Sequence, residues 1–188
     1  MRNDGVKAGE VPTISFDFAY TRAVAADGNM QNTDQVIALV MVDSQTNYTG
    51  CVPIQAKSQF DLMVREILQF TQVLRHSECV YLCDNEPSIR QVQQRAVRAR
   101  LALGLATRDK TPAAYSHGNS LCESTVQRVR SLAGSLMYRL QEQLSMELST
   151  NNSIWSWAMR HASWLLNRFA VTHGCTPFEL VYSKPYNG

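Results

Sequence analysis

Nowhere does the chain hold an apolar run of the roughly 18–20 residues that a membrane-spanning helix needs. Its opening, MRNDGVKAGEVPT, is polar and lacks the hydrophobic stretch of a secretion signal. Residues 1–10 read as a disordered leader and 11–188 as one domain, because no repeat and no long linker divides the rest. Cysteines are few and unpaired in number: Cys51, Cys79, Cys83, Cys122 and Cys175. An odd, scattered set in a chain of this size argues against a disulfide framework and for reduced thiols. Cys79 and Cys83 share a predicted strand with no turn between them, which argues against a zinc knuckle. Strong net charge is also missing, at only +2. The basic residues are nonetheless bunched. Arg90, Arg95, Arg98, Arg100, Arg108 and Lys110 face only Asp109 over 90–110, and Arg128, Arg130 and Arg139 follow. Such a patch tracks phosphates or is simply a solvated helix face, and composition leaves both open.

What is present is a globular pattern, with 45% hydrophobic and 18% charged residues. TISFDFAYT (13–21) alternates with period two and predicts a strand, with Asp17 facing away from Phe16 and Phe18. A turn-rich break follows. VIALVMVDSQT (36–46) reads as a buried central strand, and YTGCVPIQAK (48–57) as its hairpin partner. Residues 58–76 have helical periodicity, with Ser58 as the expected N-cap. CVYLCD (79–84) is a fourth strand, and its return after a helix predicts a parallel neighbour. A basic helix (88–101), a short strand (103–109), a mobile loop (110–120), a long helix (121–148) and another (153–171) complete the order. Trp155, Trp164 and Phe169 are assigned mainly to the core, Trp157 to core or interface, and the C-terminal tail to turns. The sum is an α/β chain with a five-stranded mixed sheet flanked by helices.

Three acids stand apart by position. Asp17 interrupts the first strand, although Asp is a poor strand former and costly to bury. Asp84 ends the fourth strand, in LCDNEPSIRQV, where Asp-Asn is also ordinary turn chemistry. Glu123 opens the long helix, where it also suits the helix dipole. If strands one and four are neighbours, Asp17 and Asp84 come together. Three carboxylates without matching histidines make an oxygen-ligand set for Mg2+ or Mn2+. Two such ions promote attack on a phosphodiester. Read from spacing alone, the same acids are better explained as caps of turns and helices, which are common.

At these residues the sequence resembles the catalytic core of retroviral-type integrases, and among them the Ty1/copia-like retrotransposon integrases of the DDE superfamily. SFDFAYT resembles the segment of the first Asp, and ALVMVDSQTNYTGCVPIQAKS the hairpin after it. CDNEPSI resembles the turn of the second Asp, and SHGNSLCESTVQRVRSL the loop and helix of the Glu. WSWAMRHASWLLNRF and GCTPFELVYSKPYNG resemble the end of the core, so the likeness spans roughly 11–188. It implies an RNase H-like fold with helices on both faces of the sheet, and two Mg2+ (or Mn2+) ions held by Asp17, Asp84 and Glu123. The implied activity processes element DNA ends and joins them to target DNA, in a homo-oligomer. The implied location is the nucleus, after import, or a cytoplasmic pre-integration particle. Gln127 and Arg130, one and two turns beyond Glu123, are candidate DNA contacts, as are His117 and Asn119 in the loop.

The sequence departs from that family in places. Ser120 stands where the family often has Gly, and Glu86 replaces the Gly of its D-N-G turn. A flanking zinc domain and a following domain are not recognisable, which fits a piece of a longer polyprotein or a decayed copy. An inactive DNA-binding or interaction domain on the same fold is therefore the alternative reading. An RNase H-type nuclease would carry a fourth carboxylate in its last helix, and 153–171 has none.

Overall fold

A computed structural model describes residues 10–22, 35–110, 119–149, 152–172 and 174–188. The leader up to residue 9, the turn-rich break and the greater part of the expected mobile loop, with His117, lie outside the described residues.

Five strands form one sheet: β1 (Thr13–Arg22), β2 (Gln35–Asp43), β3 (Thr49–Ile54), β4 (Glu78–Leu82) and β5 (Ala106–Lys110). Their order is β3-β2-β1-β4-β5, so β1 is central. The β1–β2 and β2–β3 pairs are antiparallel, joined in the second case by a short turn. β1–β4 and β4–β5 are parallel, as the intervening helices require.

The period-two pattern sorts the sheet into two faces. Ile14, Phe16 and Phe18 of β1 point to one side, against Met63 and Ile67 of α1 (Phe60–Leu74) and Ile89 and Val92 of α2 (Pro87–Ala102). Ala19 of β1 and Val40 of β2 point to the other. They pack against Cys122 and Val126 of α3 (Ser120–Leu144) and Met159 of α4 (Ser153–Phe169). Asn167 of α4 fastens that helix to the edge strand. Its side-chain oxygen accepts from the Thr49 N–H at 2.7 Å, and its amide donates to the Thr49 carbonyl at 2.8 Å.

Several expectations need correction. Helix α1 starts at Phe60 after Gln59 rather than being capped by Ser58, and the Gln59 side chain instead accepts from the Gln55 N–H at 2.8 Å. The tail does not close only in turns, because Pro177–Tyr182 forms α5. Thr176 and Glu179 cap it reciprocally, with Pro177 in the first helical position. Phe169 is not core: it is 60% exposed at the end of α4 and packs edge-on against Trp164 and Tyr186. Trp155 is buried as expected, whereas Trp157 is half-exposed and stacks on His161.

Candidate active site

Strand lengths create the site. The parallel β1–β4 pairing ends at Ser15–Leu82, but β1 runs on to Arg22. Continuing that register by two residues sets Asp17 level with Asp84, just where the chain leaves β4 and turns through Asn85 into α2. Asp17 lies on the α3 side of β1, between the small buried side chains Ser15 and Ala19. Its cross-strand partner is Val40. The Cys122 thiol of α3 reaches the Val40 carbonyl at 3.9 Å, so the first turn of α3 rests on the sheet beside Asp17. Glu123 is the next residue of that turn.

The electrostatics record the same convergence. Burial pushes the Asp17 carboxyl up to about 6, opposed by the Phe18 N–H that donates to its Oδ1 at 2.7 Å. The negative charges of Asp84, Glu86 and Glu123 push it further up. The Cys122 thiol is raised well above its ordinary value, by burial first and then by Asp17, Asp84 and Glu123. Burial pushes the Cys83 thiol up to about 12, with Asp84 adding to it. Neither thiol is therefore available as a thiolate near neutral pH.

The donor set is carboxylate oxygen, which suits a hard divalent cation. Among the described residues, no three Asp, Glu, His or Cys side chains are gathered tightly enough to hold a metal ion as they stand. The three acids are thus in electrostatic reach of one another without being closed into a ligand shell.

Of the candidate DNA contacts, Gln127 and Arg130 are exposed on α3 on the side of Glu123. Asn119 is different. It is 1% exposed, occupies the cap position of α3 without capping it, and neither side-chain polar atom has a hydrogen-bond partner among the described residues. The basic patch is thinner than its sequence. Arg100 is buried, donating to the Thr107 hydroxyl at 2.8 Å and the His76 carbonyl at 2.9 Å. Arg95 pairs with Asp61 and Arg108 with Glu78.

Sequence reading missed Lys57. Its ammonium pairs with Glu86 across 29 residues and stands 5.0 Å from the Phe18 ring centre and 5.1 Å from that of Tyr20. The same Glu86 oxygen accepts from the Ser88 hydroxyl. Partial burial raises the Glu86 carboxyl, but its bonds to Lys57 and Ser88 outweigh that and leave it below its ordinary value. The residue that departs from the family turn is therefore ionised and partnered. No sequence signal marks Lys57, since nothing local links it to Glu86.

No protein-family model and no curated protein matches the chain. Solved structures do. One chain of a simian T-cell lymphotropic virus intasome in complex with PP2A regulatory subunit B56 gamma aligns with a TM-score of 0.65 and 18% identity. That alignment covers 97% of this chain and 59% of the other. The HTLV-2 integrase catalytic core domain, solved with magnesium in a trimeric form, aligns at 0.62 and 16% identity over 89% of this chain and 93% of that one. The catalytic core domain of BIV integrase aligns at 0.58 and 18% identity over 91% and 93%. At these identities the likeness is one of fold: the chain has the RNase H-like fold of retroviral integrase catalytic cores.

Proposed function

We propose that the chain is a metal-dependent polynucleotidyl transferase of DNA integration, with Asp17, Asp84 and Glu123 as its catalytic carboxylates. The observation that carries this reading is the electrostatic coupling of Asp84 and Glu123 to Asp17 at the open end of the β1–β4 pairing, where both raise its proton affinity. Asp17 and Asp84 on adjacent strands and Glu123 on α3 would hold two Mg2+ or Mn2+ ions. Bound there, the ions supply charge stabilisation at the phosphate under attack. The protein's own contribution is placement. The sheet fixes Asp17, the β4–α2 turn fixes Asp84, and Cys122 seats the first turn of α3 on Val40. Gln127 and Arg130 would steady the DNA backbone, with Asn119 at the start of α3 as a further contact; His117, two residues earlier in the sequence, is proposed to join them.

The HTLV-2 core was solved with magnesium in dimeric as well as trimeric form. By that likeness we read this chain as a magnesium-using homo-oligomer that acts on element ends and target DNA. A Ty1/copia-like retrotransposon is the source that the sequence motifs favour, and the nucleus or a pre-integration particle is where such chemistry takes place. Asp84→Asn tests the reading. It should abolish DNA strand transfer and weaken Mg2+ binding in calorimetry, with an unchanged circular dichroism spectrum. Full activity in that variant would refute the assignment.

A second reading, an inactive DNA-binding domain of the same fold, is favoured by one observation. The acids are not gathered into a ligand shell among the described residues. Absence of Mg2+ binding at millimolar concentration in the wild-type chain would select it.

A further inference from the structure

Lys57 lies on the link between β3 and α1, and its ammonium reaches Glu86 in the β4–α2 turn that carries Asp84. Two ring faces hold it there, those of Phe18 and Tyr20, on the stretch of β1 that β4 leaves unpaired. Phe18 and Tyr20 face the α1 side of β1, opposite to Asp17, whereas Glu86 lies two residues after Asp84 and its charge is felt at Asp17. The Lys57–Glu86 pair therefore borders the carboxylates through Glu86, from the α1 side of the sheet. Both side chains are more than a third exposed, at 35% and 38%. Exposed pairs of this kind contribute little to folding, so a structural clamp is a poor account of it. The ring faces orient the ammonium whether or not Glu86 is there, because cation–π attraction needs no anion. A carboxylate on an oriented ammonium uses the contact that a phosphate oxygen would use.

We propose that Lys57 is a DNA phosphate-binding residue beside this site and that Glu86 occupies it in the free protein as a stand-in for the phosphate. This rests on the DNA-joining reading above and adds to it a contact and a restraint. When DNA enters, the phosphate takes the Lys57 ammonium and Glu86 is released to water, still held by Ser88. The exchange is nearly neutral in charge, so Lys57 adds little to affinity while Glu86 competes for it. Removing the Glu86 charge unmasks the lysine.

The test is a cycle of Glu86→Gln, Lys57→Met and the double variant. Binding to a labelled duplex of about 30 base pairs is followed by anisotropy against salt, in chelator and without divalent ions. Each neutralised phosphate adds about 0.9 to the slope of log affinity against log salt. Glu86→Gln should bind more tightly than wild type and steepen the slope by about that amount. Its advantage should then shrink about 3.5-fold between 50 and 200 mM salt. Lys57→Met alone should stay close to wild type, and in the double variant the gain should vanish. If the gain persists without Lys57, Glu86 merely repels DNA and the proposal is wrong. An unchanged slope in Glu86→Gln overturns it as well, whether or not either variant melts at a lower temperature. A wild-type chain that shows no salt-dependent DNA binding removes the DNA reading itself, and this inference with it.

Discussion

Replacing Asp17 by Asn should make the metal-free protein more stable, and only at neutral pH. In the folded chain, burial and three neighbouring acids raise the Asp17 carboxyl from an ordinary 3.8 to about 6. Each tenfold change in proton affinity corresponds to about 1.4 kcal/mol, so the ionised form is disfavoured by about 3 kcal/mol before solvent is considered. Asp17 is partly open to water, and screening reduces this to about 1–2 kcal/mol. Between pH 3.8 and about 6 the folded state holds a proton that the unfolded state has lost. Stability therefore falls as pH rises through that window, and the deficit is complete above about pH 7. Asn is nearly isosteric and keeps an oxygen for the Phe18 N–H.

The variant should melt about 3–6 °C above wild type at pH 7.5 and level with it near pH 4, for a chain of this length. Differential scanning fluorimetry with chelator present measures both points. Magnesium then separates the two proteins in the opposite sense. At ten times its dissociation constant it should stabilise wild type by on the order of 1.4 kcal/mol and leave Asp17→Asn unmoved. An advantage of equal size at pH 4 and pH 7.5 would show that the carboxylate charge is not its source. No advantage at pH 7.5 would show that Asp17 is solvated well enough to ionise freely.

Two further substitutions examine the frame around the site. A Cβ on Gly50 would stand 2.8 Å from the Met41 methyl and 2.9 Å from the Phe70 ring. The methyl swings aside easily, but the ring is packed in the core, so Gly50→Ala should cost about 1–3 kcal/mol in urea denaturation. Asn167→Ala leaves the buried Thr49 N–H and carbonyl without their α4 partner. It should lose about 2–3 kcal/mol of stability and speed hydrogen exchange at the Thr49 amide.

The order of elements was legible because each carried its own period: two in β1, 3.6 in α1 and α3, and an unbroken apolar run in β2. The pairing of β1 with β4, which sets Asp17 level with Asp84, was legible for a topological reason. A strand that returns through a helix pairs in parallel, and β1 was the strand left to receive β4. Arg100 was misread as surface charge although its spacing from Val92 and Ala96, i+8 and i+4, places it on the buried face of α2. Residue type outweighed periodicity there, and a charged residue is buried only when it has partners that the sequence does not reveal. Phe169 failed in the opposite sense, as an aromatic at a helix end where the fold leaves water on one side. The α5 cap was readable as Thr-Pro-Phe-Glu and was overlooked. The Lys57–Glu86 pair was not readable at all, because it depends on where the β3–α1 link passes over β1.

The free protein bears two unrelieved costs close together, and their location bears on function. Asp17 ionises at neutral pH against burial and three like charges. Four residues before Glu123 on the chain, the buried Asn119 amide has no partner for either polar atom among the described residues. Among the described residues, Arg168 supplies the remaining buried polar side-chain atom without a hydrogen bond, and its guanidinium stacks on the rings of Trp164, Phe178 and Tyr186. Asn119 has no such compensation. Folded proteins pair nearly all their buried polar groups, and each exception calls for a physical reason. One cost is excess negative charge that a cation would relieve. The other is an unused donor and acceptor at the start of α3, which a nucleotide would satisfy. Ligands that stabilise the folded chain would do so by cancelling these costs, and a side chain that cancelled them permanently would occupy the place that the proposed function gives to substrate.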